Sequence, residues 1–225
     1  MNEPRHILSS FDRALNQLHD DLLRMASLTM RNLSASVRGL LDRNADMCNQ
    51  VIAEDNEVDQ LEKSIDADGI SILTKFNPVA HDLRRVLASM KSSSNLERIS
   101  DQSVNIARRA KRLMQSNEHS ETRLVEPIYA QALSLLQDAV RAFREEDTAL
   151  AMSLKQRDKD LDRQQNELIA KLTSRMEEDR TRVKDYVDLI FIIRFLERAG
   201  DHAVNIGEDA VYASSARDIR HNGAA

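Results

Sequence analysis

Residues 95–110 recur at 195–210 without a gap, and this duplication constrains the fold more than any other feature of the chain. Leu96-Glu97-Arg98-Ile99-Ser100-Asp101 returns as Leu196-Glu197-Arg198-Ala199-Gly200-Asp201. Val104-Asn105-Ile106 returns as Val204-Asn205-Ile206, and Ala110 as Ala210. That makes eight identities in sixteen positions, against about one expected by chance, and self-similarity at a fixed offset marks a duplicated structural unit. A second match pairs Asp55 and Asp59 with Asp158 and Asp162 at an offset of 103, so the intervening loops absorb three residues. A chain of 225 residues therefore divides into two related halves.

Each half reads as helical. Apolar residues recur at helical spacing, as in Leu8, Phe11, Leu15, Leu18, Leu22, Met25, Leu33, Val37 and Leu40. This stripe predicts a first helix over 6–43. Val51, Val58, Leu61, Ile65 and Ile72 predict a second over 46–75, ended by Asn77-Pro78 because the residue before proline avoids the α region. A third helix is expected over 79–114, and the polar, aperiodic stretch 115–122 is the expected linker. Pro127 suits the first turn of a fourth helix, which runs to the acidic junction 145–147. Fifth and sixth helices are expected over 148–176 and 181–213, with fraying beyond. The fold class is thus all-α: two tandem three-helix bundles, over 1–118 and 122–214, with a flexible tail over 215–225. With 5 Gly and 3 Pro, the chain lacks the turn residues an all-β fold needs.

Several function classes drop out. No Gly-x-Gly-x-x-Gly is present for a dinucleotide, and no Gly-rich loop for a phosphate. No apolar run reaches the roughly 18 residues of a membrane span, and Met1 to Leu8 lacks the character of a signal peptide. A single cysteine, Cys48, excludes an internal disulfide and a cysteine-based zinc site and fits a cytoplasmic protein. Net charge is −5, and neither half is basic, so nucleic-acid binding has no electrostatic support. The run Arg108, Arg109, Lys111, Arg112 reads first as a solvated helix face.

The repeated blocks carry specific chemistry. Glu97 and Asp101 lie four apart on one helix face, as do Glu197 and Asp201. Asp55/Asp59 and Asp158/Asp162 show the same spacing on another helix of each half. An antiparallel neighbour can bring each pair against its Glu/Asp partner, giving two clusters of four carboxylates. Leu189-Ile190-Phe191-Ile192-Ile193 is apolar around its circumference and reads as buried, so the acids one or two turns later are expected to be half buried. Like charges in such a setting take up protons or need a counter-charge. Arg98 and Arg198 within the blocks, or Arg84, Arg85 and Arg194 nearby, can supply one. A metal ion is the alternative, and all-oxygen ligands suit hard cations such as Mg, Ca, Mn or ferric iron. Asn105 and Asn205 extend the same faces as ligands or as hydrogen-bonding caps on the carboxylates. A di-metal oxidase bundle needs Glu-x-x-His on core helices. Only Glu3-Pro4-Arg5-His6 fits, outside the helical core, so no enzyme is expected.

At these Glu-Arg-x-Gly/Ser-Asp-x-x-x-Asn-Ile blocks the chain resembles the PhoU family, regulators associated with bacterial phosphate uptake. The resemblance extends to Asp55-Asn56-Glu57-Val58-Asp59, Asn77-Pro78-Val79-Ala80-His81-Asp82-Leu83-Arg84 and Asp218-Ile219-Arg220-His221. It implies a pair of three-helix bundles that dimerise. It also implies metal binding at Asp55, Asp59, Glu97 and Asp101 in one half and Asp158, Asp162, Glu197 and Asp201 in the other. The implied function is a cytoplasmic adaptor, reaching the inner membrane only through partners: the phosphate ABC transporter's ATPase and a sensor histidine kinase. Such an adaptor restrains phosphate uptake and starvation signalling. The alternatives are a metal-storage or redox protein and a metal-free helical scaffold. Ser100 stands where the family commonly has glycine, which predicts a slightly altered helix contact. Arg157 stands where the first half has Glu54, which would weaken the second cluster if acids were needed at both places.

Overall fold

The computed structural model describes residues 3–117 and 120–219, with side chains from residue 9 onward. Six long helices follow one another: α1 Glu3–Leu41, α2 Ala45–Phe76, α3 Ala80–Leu113, α4 Glu126–Glu145, α5 Thr148–Glu178 and α6 Val183–Ser215. Each boundary has a local cause. The Asn44 side chain caps α2 by accepting from the Met47 amide at 3.0 Å, and Asp147 caps α5 by accepting from the Leu150 amide. Asn77 closes α2 in a left-handed conformation, with φ 46°, and Pro78 then forbids continuation. The expected linker is partly structured: a 3₁₀ segment, Ser120–Val125, leads into α4 and buries Val125.

The two repeats meet through α3 and α6, the most extensive helix pair in the molecule. The pair is antiparallel. Arg84 Nε donates to the Ala213 carbonyl at one end, Asn95 meets His202 in the middle, and Ser116 donates to Asp185 at the other end. Small residues line this pair and its neighbours: Ala88, Ser92, Ser100, Ser103 and Ala107 on α3, and Ala199, Gly200, Ala203 and Gly207 on α6 are all buried. Around the pair, α1 packs on α2 and α3, α4 packs on α5 and α6, and α1 touches α4. One apolar core runs through both repeats, from Leu18 and Leu33 to Leu172 and Ile192. Past α6, Ile219 packs near Ala142, Ala151 and Val211, so the chain stays docked there. The rest of the expected tail, residues 220–225, lies outside the described residues.

The apolar run in α6 departs from expectation. Leu189, Ile192 and Ile193 are buried, but Phe191 remains 37% exposed. Arg109 of α3 shields one face of that ring: its guanidinium lies 3.7 Å from the Phe191 centroid in a cation–π contact. Arg109 also pairs with Asp188, which Arg112 joins at 2.9 Å. Of the basic run only Arg109 is drawn inward, while Arg108, Lys111 and Arg112 stay exposed; Arg109 and Arg112 together staple α3 to α6 through Asp188. Cys48 is a packing residue, fully buried where a Cβ on Gly39 would meet its Sγ at 2.6 Å.

Candidate metal centres

The antiparallel packing of α5 on α6 brings the predicted acids of the second repeat together. Oxygens of Asp162, Glu197 and Asp201 all lie within 4.8 Å of one another. Asp158 stands one turn from Asp162, close enough to raise the Glu197 pKa and to feel the charges of Asp201 and Asp162. Burial first, then Asp201 and Asp162, pushes the Glu197 carboxyl up to about 7. Burial, then Asp201, Asp162 and Glu208, pushes Asp158 up to about 6. Asp201 is also raised, by burial and Asp162, against the opposing charge of Arg198. Desolvation and like charge thus both act against ionisation. The Asp158 Oδ1 atom is buried and makes no hydrogen bond. An orphaned carboxylate oxygen beside three converging carboxylates fits an all-oxygen cation site.

In the first repeat, α2 and α3 bring Asp55, Asp59, Glu97 and Asp101 to the equivalent place. Burial, then Asp101, raises Glu97 to about 7, with Glu62 and Asp59 contributing. Asp55 is raised by burial, by Asp59 and by Asp101. The local partners differ, however. Ser100 Oγ donates to Asp55 Oδ1 at 2.8 Å, so the serine does more than alter a helix contact. Arg98 lies 3.5 Å from Glu97 and 3.8 Å from Asp101. Among the described residues, no three carboxylates of this repeat approach as closely as those of the second.

Other expectations are corrected. Arg157 does not reach the second cluster: it donates to Asp138 at 2.6 Å and Ser134 at 2.8 Å, on α4. Its counterpart Glu54 pairs with Arg31 of α1 at 2.9 Å. The two repeats therefore make the same inter-helix ion pair with reversed signs. Arg84 and Arg85 also serve elsewhere, Arg84 at the end of α6 and Arg85 beside Glu146 at 3.8 Å. Asn205 donates to Asn95 at 3.4 Å across the repeat interface and caps no carboxylate. Four residues flank the clusters without belonging to the acidic motif: Glu62 and Arg108, the latter read as solvated, in the first repeat, and Gln165 and Glu208 in the second. The repeat register contains the signal, since Glu62 aligns with Gln165 at offset 103 and Arg108 with Glu208 at offset 100.

The PhoU domain pattern matches twice, over residues 22–110 and 126–210, so it covers both repeats. The chain belongs to the PhoU family. The phosphate-specific transport system accessory protein PhoU homolog of Pseudomonas aeruginosa is 34% identical over 97% of this chain and 90% of its own length. PhoU homolog 1 of Thermotoga maritima is 30% identical over 93% of this chain and 91% of its own. The crystal structure of the Pseudomonas aeruginosa PhoU superposes with a TM-score of 0.89 at 33% identity, over 92% of this chain and all of that one. That of the phosphate transport system regulatory protein PhoU from Streptococcus pneumoniae gives 0.85 at 26% identity, over 93% and 99%. This PhoU chain shares the six-helix architecture of those structures across nearly its whole length. No helix among its described residues is long and apolar enough to cross a membrane.

Proposed function

We propose that this chain is a negative regulator of phosphate uptake and of phosphate-starvation signalling, acting in the cytoplasm as a homodimeric adaptor without turnover chemistry. Its partners are the phosphate ABC transporter's ATPase and a sensor histidine kinase. The observation that carries this reading is similarity to accessory proteins of phosphate transport along 97% of the chain, repeat for repeat. Hard cations such as Fe, Mn, Mg or Ca complete the proposal. The residues that would hold them are Asp55, Asp59, Glu97 and Asp101, and Asp158, Asp162, Glu197 and Asp201. A bound cation supplies charge neutralisation: it offsets acids that burial and mutual repulsion hold above their usual range, and it ties α5 to α6 or α2 to α3. Regulation would then work through the rigidity and charge of the exposed helix faces, which a partner reads.

The test is a deletion strain grown in phosphate-rich medium with a phosphate-starvation reporter. Expression should rise, a plasmid copy should restore repression, and the ATPase should co-purify with the tagged chain. Unchanged repression in the deletion strain would overturn the regulatory reading. For the metal, protein purified without tags should contain a hard cation by elemental analysis, and Glu197→Ala/Asp201→Ala should lose it.

A further inference from the structure

We propose that the two carboxylate clusters are unequal cation sites: the second repeat holds the open, cation-capturing site, whereas the acids of the first are already engaged by its own Arg98 and Ser100. This rests on the metal reading above and concerns residues that the duplication does not keep equal in effect. Three differences point the same way. Arg98 contacts both Glu97 and Asp101, while Arg198, identical in sequence, makes no such ion pair among the described residues and acts on Asp201 only as a more distant charge. Ser100 occupies one oxygen of Asp55 with a hydrogen bond. The matching residue is Gly200, which offers no donor, and the matching Asp158 keeps an orphaned oxygen.

The third difference is a charge reversal. Arg108 of the first repeat stands at the register where the second has Glu208. That exchange alone changes the local balance by two charges. Glu62 against Gln165 runs the other way by one, but Glu62 accepts a hydrogen bond from Ser94 at 3.0 Å. Geometry agrees with the charge inventory: among the described residues, Asp162, Glu197 and Asp201 are the one carboxylate trio with oxygens already within 4.8 Å of one another. A cation entering the first repeat must displace Arg98 and compete with the Ser100 hydroxyl. A cation entering the second meets, among the described residues, one protein donor to displace, the Gln165 amide on Glu197.

The full chain, stripped with chelator and titrated with Mn²⁺ alone, gives the test by calorimetry and by electron paramagnetic resonance of free Mn²⁺. Two classes of site should appear, at least tenfold apart in affinity. Asp201→Asn should abolish the tighter class, Asp101→Asn should abolish only the weaker, and Arg98→Ala/Ser100→Gly should narrow the gap. Circular dichroism of each variant checks that it is folded. Two equal classes, or loss of the tighter class in Asp101→Asn, would overturn the inequality and leave the metal reading standing. No saturable binding to the unmodified chain would overturn both.

Discussion

Replacing Glu197 by glutamine separates the two forces that act on the second cluster. The side chain keeps its size and loses its charge. A carboxyl held at about 7 rather than its ordinary 4.5 corresponds, well above pH 7, to about 3 kcal/mol of unfavourable ionisation. Glu197 is only partly buried, and solvent screening on its open side reduces that to about 1 kcal/mol. In chelator at pH 8, Glu197→Gln should therefore be more stable than the parent by about 1 kcal/mol, a melting shift of about 2–4 °C for a chain of this size. Saturating Mn²⁺ reverses the order. A cation at a hundredfold excess over its dissociation constant stabilises the native state by about 2.7 kcal/mol, and the variant, with one of three converging carboxylates gone, should retain under about 1 kcal/mol of that. Thermal melts followed at 222 nm, with chelator and with Mn²⁺, measure both. A variant less stable than the parent in chelator would refute the account of Glu197 as a repelled, desolvated acid. An equal offset in both conditions would refute its role as a ligand.

The raised carboxyls also set a pH dependence. In the native state Glu97, Glu197 and Asp158 bind protons up to about 7, 7 and 6, whereas the unfolded chain releases them near 4. The native state thus holds more protons, and metal-free stability should fall as pH rises from about 4 to 7 and level off above, seen as a declining urea midpoint; a rising midpoint would contradict it. At Gly200 a Cβ would lie 2.2 Å from Leu161 Cδ2, whereas the first repeat carries Ser100 at that register and, at the Leu161 register, the smaller Val58. Gly200→Ser should cost about 1–3 kcal/mol by overpacking, Leu161→Val about 1 kcal/mol, and the double variant about 1 kcal/mol less than their sum in a urea-melt cycle. Asp188→Asn leaves Arg109 and Arg112 without their shared carboxylate and should cost about 2 kcal/mol, below the range for a fully buried pair because Arg112 is exposed, again read from urea melts.

The duplicated backbone pattern was legible in the sequence because it is set by local rules. Apolar periodicity, Pro78, Pro127 and the acidic junction 145–147 place the helices to within two or three residues. The pairing of Asp55/Asp59 with Glu97/Asp101, and of Asp158/Asp162 with Glu197/Asp201, followed from i, i+4 spacing on adjacent antiparallel helices. Side-chain destinations were not legible where two helices compete for one residue. Arg157 could have turned to α6 or to α4, and Asp138 on α4 decides it. Arg109 reads as solvated because its partners, Asp188 and Phe191, are about 80 residues away.

The same limit explains how two copies of one motif can differ in chemistry. Glu-Arg-x-x-Asp fixes which face of the helix bears the acids. It does not fix where the intervening arginine goes, because that depends on the fourth and fifth neighbours. In the first repeat Arg98 folds back onto Glu97 and Asp101, and Ser100 binds Asp55. In the second, a Cβ at position 200 would lie 2.2 Å from Leu161 Cδ2, so a larger residue there forces Leu161 to shift, and glycine has no hydroxyl to offer Asp158. The Leu161 side chain that crowds position 200 thus stands three residues after Asp158, whose buried Oδ1 atom is left without a donor.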